Sequence, residues 1–391
     1  MPIVPYALFT VARKAPTTRR RRPDIPGTGA ASSAASHLER ISSAMTGNNS
    51  KSPIVRIAPL GFPWQTIDPF LFCVYHDDAY PKANGRMGPE ASLAGRQMGQ
   101  DFSRKDGWSM YHGDTVPGFP AHPHRGFETV TIVRRGLIDH SDSLGAVARF
   151  GGGDVQWVTA GRGIVHSEMF PLLKTGEDNP LELFQIWLNL PKRSKMAAPH
   201  FTMFWNEQVP RTVLADAQGR KTEVAVIAGR FGDLAALAPP PDSWAADPKS
   251  DVAIWTLRLE PGAGVQLPPA QLAGTRRTLY FFKGGAAMVG GRTVEGPVAV
   301  TLDAGVEVAV AAGDTVCEFL LLQGQPLAEP VAQYGPFVMN TQQEIMEAMQ
   351  DYRRTQFGGW SFADAAPVHG SAPERFARYP DGREERPAVT G

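Results

Sequence analysis

The stretch GDVQWVTAGRGIVHSEM, residues 153–169, sets the reading of the whole chain. It opens on a Gly-Asp turn, runs through an apolar segment at 155–158, breaks at Ala160-Gly161-Arg162-Gly163 and resumes over 164–170. Short apolar runs bounded by glycine read as strands joined by tight turns. Residues two apart in a strand share a face, so His166 and Glu168 project together. Upstream, FPAHPHRGFETVT at 119–131 repeats the device. His122 and His124 are two apart, and the alternation over 128–133 ends at Gly136.

The same pattern extends in both directions. Strands are expected at 54–57 and 69–75 before these motifs, at 147–150 between them, and at 181–190 after them, closed by Pro191. A connector over 200–222 leads to a second β-rich region running to about residue 325. Its strands at 252–259, 278–282, 287–289, 297–302, 306–311 and 315–322 all stop at Gly, Pro or Asp. Gly153-Asp154 and Gly313-Asp314 each head a late strand, an internal duplication in outline. Many short strands with cheap turns predict an all-β chain of two tandem barrels. Residues 80–113, polar and Gly-rich, predict a long surface loop with a short helix at 89–97. Thr341-Gln342-Gln343-Glu344 is a capping box that predicts a helix over about 342–354, with Ile345, Ala348, Met349 and Tyr352 on one face. The expected division is a disordered basic leader (1–52), a first barrel (53–199), a second barrel with the helix (200–355), and a loose tail (356–391).

The nine histidines are distributed unevenly. Four lie between 122 and 166, and none lies between 201 and 368, so the second region offers no histidine site. Each two-apart pair puts two ligands into a barrel interior, and the 42 residues between His124 and His166 allow several strands between the pairs, which would then meet across the lumen. Three imidazoles and one carboxylate with no thiolate suit one divalent ion with open positions: Fe(II), with Mn, Ni or Zn as alternatives. His122, His124, His166 and Glu168 are therefore the expected ligands. His76, His112 and His140 have no neighbour at ligand spacing and are expected to be structural or exposed. Arg125 and Arg162, beside the ligand pairs, would contact an anionic substrate or pair with local carboxylates. Gln185 and Trp187 are assigned to core packing.

Bulk composition excludes several functions. The formal net charge is zero, but residues 1–50 carry seven basic and two acidic side chains, leaving the rest at −5. A mildly acidic body gives no electrostatic basis for direct nucleic-acid binding. Two cysteines, Cys73 and Cys317, are too few for a disulfide framework and read as buried thiols in a reducing, cytoplasmic setting. No apolar stretch reaches membrane-spanning length. The leader's apolar residues precede its arginines, the reverse of a secretory signal, and Met45 is an alternative start.

The two motifs, together with QIWLNL at 185–190 and YGPFVMNT at 334–341, resemble the signatures of the pirin family across roughly residues 53–355. The resemblance implies a bicupin whose first barrel binds iron through residues matching His122, His124, His166 and Glu168, and whose second barrel has no metal. Many cupins place a carboxylate ligand where Glu128 stands. In the pirin pattern Glu168 takes that place, which leaves Glu128 to support the ligands. Residues 80–117 are longer than the corresponding pirin segment, so the mouth of the site would differ. The resemblance further implies quercetin 2,3-dioxygenase-type activity on a flavonol or similar enol with O2, Glu168 accepting the substrate proton in a monomeric enzyme. The alternative it implies is a non-enzymatic, redox-sensing co-regulator that binds a protein partner through an iron-dependent surface. A third is an acireductone or other small-molecule dioxygenase.

Overall fold

Breaks at Gly136, Gly151-Gly152-Gly153, Gly161 and Pro191 cut the first half into short strands that have to pair to satisfy their backbones. In the computed structural model, which describes residues 52–388, they form two sheets facing one another. One sheet runs His200–Phe204, Val155–Thr159, Phe127–Arg135, Leu181–Asn189, Phe70–Asp78. The other runs Glu384–Glu385, Phe376–Arg378, Val147–Gly151, Leu137–Asp142, Ile164–Met169, Gly118–His124. Val133, Ile138, Phe150, Val158, Ile164 and Leu183 fill the space between them. Residues 221–324 build a second barrel of the same kind around Val226, Leu257, Leu279, Phe281, Val300 and Leu321. Among the described residues the chain is mostly β, two barrels with one short C-terminal helix, as the strand spacing predicts. The basic leader, with Met45 and Arg19–Arg22, falls outside the described residues apart from its last position.

Strand Phe127–Arg135 is buried through its first seven residues because both faces are covered. Val133 points into the barrel, whereas Val130 and Ile132 point at the second barrel. There they meet Trp64, Phe184, Ile254, Tyr280 and Leu320, with the Trp64 and Tyr280 rings stacked at 5.1 Å. The two barrels thus share one apolar seam. Cys73 is buried in it and Cys317 in the second barrel's core, both free thiols. No helix among the described residues is long and apolar enough to cross a membrane.

The ends of the chain depart from expectation. Ile54–Pro59, expected to open the first barrel, pairs with Val298–Leu302 of the second. Phe376–Arg378, expected in a loose tail, pairs with Val147–Gly151 of the first. Each strand covers an edge that would otherwise present unpaired N–H and C=O groups. The capping box forms as predicted and opens helix α1 (Gln342–Thr355). Its buried stripe packs with Phe337, Met339 and Val165, so α1 rests on the first barrel's motif strand. No helix forms at 89–97. Residues 80–113 are held by turns and by isolated bridges such as Asp101 to Tyr111, with a short 3-10 turn at Lys105–Gly107.

Glu128 does not support the ligands. It lies on the seam side of its strand, where its carboxylate accepts hydrogen bonds from Thr159 Oγ1 (2.7 Å) and Ser243 Oγ (2.5 Å). Burial pushes its pKa up from the ordinary 4.5 to about 7. Between those values the folded chain keeps a proton the unfolded chain has lost, so this group's contribution falls as pH rises through the window. Glu128→Gln is expected to flatten that slope. The variant should match the parent near pH 5 and exceed its stability by about 1–3 kcal/mol at pH 8. Urea unfolding at the two pH values checks this, and an unchanged slope contradicts it.

Candidate metal centre

Gly118–His124 and Ile164–Met169 are antiparallel neighbours in one sheet, with His122 directly opposite His166 and Phe119 opposite Glu168. The two pairs therefore meet across adjacent strands, not across the lumen. The sequence separation of 42 residues is taken up by four intervening strands that lie elsewhere in the two sheets. A register irregularity between Phe119 and His122 lets Pro120 O accept from His122 Nδ1 (2.9 Å). That bond turns His122 Nε2 inward.

His122, His124 and His166 are all buried, and their candidate ligand atoms lie within 4.8 Å of one another. The Nε2 atoms of His122 and His124 are 3.1 Å apart. Two nitrogens each about 2.1 Å from an ion at right angles stand about 3.0 Å apart, so this spacing fits cis ligands. Both ring nitrogens of His166 are buried with no hydrogen-bond partner among the described residues. Such a group costs about 1–3 kcal/mol unless a ligand meets it. Burial lowers the pKa of all three rings, His122 to about 4, and neighbouring histidines lower His124 and His166 further. All three are thus neutral at pH 7, the form a divalent cation requires.

Glu168 stands beside this triad. Its Oε2 is 3.9 Å from His166 Nε2, between the roughly 3.0 Å of cis and 4.2 Å of trans ligands on bonds of about 2.1 Å. Gln185 Nε2 donates to Oε2 (2.7 Å) and Thr131 Oγ1 to Oε1 (3.3 Å). Burial raises the Glu168 pKa, and these donors and nearby His140 oppose the rise. The donor set of three neutral imidazoles and one carboxylate suits a hard-to-borderline divalent ion.

The motif glycines hold this geometry. Gly126 has φ +87°, and a Cβ there would collide with the Val338 carbonyl. Gly163, at φ +138°, faces the Phe357 ring at a distance no side chain would tolerate. Buried Lys195 clamps the turn after His124, donating from Nζ to Gly126 O, Val338 O and Asn189 Oδ1.

Above the triad is a pocket whose walls are largely aromatic: Phe62, Phe72, Phe102, Phe119 and Trp187. Gln185 and Trp187 belong to it, not to plain core, with the Trp187 ring 5.4 Å from His124. Alternation along Leu181–Asn189 places 183, 185 and 187 on the inner face, but the sequence does not reveal which parity faces inward. Arg125 points away from the pocket, to Asp351 (3.0 Å) and over the Phe357 ring, and Arg162 is exposed. The carboxylate-pairing expectation thus describes Arg125. His140 and His112 stand outside the triad, bonded to Asp142 Oδ2 (3.1 Å) and Gly99 O (2.6 Å). His76 is buried but lines the pocket.

A family model described as Pirin matches residues 60–188, and one described as the Pirin C-terminal cupin domain matches 254–358. A pirin-like protein of Caulobacter vibrioides is 35% identical over 269 residues, which cover 69% of this chain and 90% of that protein. A Pseudomonas aeruginosa protein, provisionally named a quercetin 2,3-dioxygenase, is 38% identical over 252 residues, covering 61% of this chain and 80% of its own length. The crystal structure of a quercetin 2,3-dioxygenase from Acinetobacter baumannii matches with a TM-score of 0.62 at 27% identity, covering 79% of this chain and 99% of that one.

Proposed function

The chain belongs to the pirin family of two-domain cupins, and on that premise we propose that it is an Fe(II)-dependent dioxygenase acting on a flavonol or a similar enol. His122, His124, His166 and Glu168 would hold the ion. The observation that carries this is the buried His166, both of whose ring nitrogens lack a hydrogen-bond partner among the described residues, packed against His122 and His124 where these two line an aromatic pocket. The relatives' names point to a small-molecule substrate and O2.

When bound, the ion would supply Lewis acidity toward a substrate oxygen and a redox centre for O2. The chain's own residues do the rest. Phe72, Phe119 and Trp187 offer flat apolar faces to a planar polycyclic ring and exclude water from it. Glu168, its basicity raised by burial, takes the proton of the substrate's enol hydroxyl. Gln185 and Thr131 keep its carboxylate oriented.

Purified protein loaded with Fe(II) and offered quercetin in air is expected to consume the flavonol absorbance together with O2. No consumption of any of several flavonols would overturn the enzyme reading and favour the iron-dependent co-regulator.

A further inference from the structure

Among the described residues that line the pocket, the polar side chains besides Trp187 are His122, His124, Glu168, Gln185 and His76. The first four are accounted for by the proposed metal set and the Glu168–Gln185 bond. His76 is left over. It shares the inner face of Phe70–Asp78 with Phe72 and Val74, the other wall residues of that strand. The Phe119 ring contacts both sides, 6.1 Å from His76 and 6.4 Å from His122, whereas among the described residues the His76 ring meets Phe62, Tyr111, Phe119 and Phe170 and no triad ring. His76 therefore faces the part of the pocket remote from the ligands.

Its orientation is fixed by a buried chain of hydrogen bonds. Tyr111 Oη donates to Asp78 Oδ2 (2.8 Å), and the same oxygen lies 2.7 Å from His76 Nδ1. Having given its proton to Asp78, the hydroxyl accepts from Nδ1–H, so Nε2 carries the lone pair. No described residue bonds Nε2. Ser109 N donates to the other Asp78 oxygen (3.1 Å). Tyr111 sits at φ +56°, a conformation that costs a non-glycine residue energy and persists only where its surroundings hold it. Both Tyr111 and the wall residue Phe102 come from the long 80–117 segment.

We propose that His76 is the pocket's hydrogen-bond acceptor for a ligand hydroxyl remote from the metal, with Tyr111 and Asp78 as its positioning residues. This rests on the flavonol reading above and adds a specificity determinant to it. Burial, with Arg104 nearby, lowers the His76 pKa to about 3, which keeps the ring neutral and able to accept. A site built to bind a hydroxyl discriminates against a ligand lacking it, because the buried acceptor is then left unmet.

The test uses protein loaded with Zn(II), which has no redox chemistry, at pH 8, and two probes. Quercetin carries ring hydroxyls away from its 3-hydroxyl, and 3-hydroxyflavone carries none. The parent is expected to bind quercetin about tenfold more tightly. His76→Phe should abolish that preference, by weakening quercetin and relieving the unmet acceptor that 3-hydroxyflavone faces, with metal content unchanged. Tyr111→Phe should weaken it, and His76→Gln, which keeps an acceptor oxygen, should restore part of it. Should the Phe variant lose both probes, the Gln variant decides. A preference that survives His76→Phe, or is absent from the parent, overturns the proposal. If the parent binds neither flavonol, the dioxygenase reading falls first and takes this inference with it.

Discussion

Replacing His166 with alanine is expected to yield a folded protein that no longer retains metal, with flavonol turnover down by about 100-fold or more. His166 has 0% exposure, and neither ring nitrogen has a hydrogen-bond partner among the described residues. Without metal it is therefore a desolvated polar group that stabilises nothing by hydrogen bonding. Its removal leaves a cavity but also relieves that burial, and the two effects oppose one another. The metal-free variant should thus unfold close to the metal-free parent. With metal the two should separate, because an ion that binds only the folded state adds about 2.7 kcal/mol when present at 100 times its Kd. Differential scanning calorimetry with and without Fe(II), beside metal analysis, checks both halves. A variant that still gains stability from the ion contradicts the assignment.

The largest expected loss of stability lies elsewhere in the same barrel. Arg149 and Asp139 are cross-strand partners, both fully buried on the outer face of their sheet. Arg149 Nε and Nη2 make two parallel bonds to the carboxylate, at 2.7 and 2.6 Å. Its remaining N–H groups reach Gly370 O (2.8 Å) and Ala372 O, and His369 N donates to Asp139 Oδ2 (2.7 Å). The pair thus latches the C-terminal strap that carries Phe376–Arg378 onto the barrel edge. Arg149→Met is expected to cost about 3–5 kcal/mol, because it leaves Asp139 buried without its counter-charge. Replacing both, as Arg149→Met with Asp139→Leu, should recover much of the loss. Urea unfolding of the three proteins measures this, and a single-variant loss below about 1 kcal/mol contradicts it.

What the sequence revealed follows from the range of the signals. Period-two spacing shows that His122 and His124 share a face, as do His166 and Glu168, because that depends on one strand alone. It does not show which strands become neighbours. The expectation that the pairs meet across the lumen therefore gave way to direct pairing of His122 with His166. Nor does it show which parity of Phe127–Arg135 or Leu181–Asn189 faces inward when both faces are buried. Glu128 accordingly turned out on the seam, and Gln185 and Trp187 in the pocket. The helix at 342–355 was legible because its capping box and apolar stripe are local. The exchange of terminal strands between barrels, and the bond from Tyr111 to His76 across 35 residues, leave no local trace.

The central claim is that one ion sits among His122, His124, His166 and Glu168. Anomalous X-ray scattering at the iron edge, from crystals grown with Fe(II), tests it most directly. The account predicts a single peak about 2.0–2.2 Å from one nitrogen of each histidine and from a Glu168 oxygen. A peak held by other residues, or no peak among these four, would contradict it.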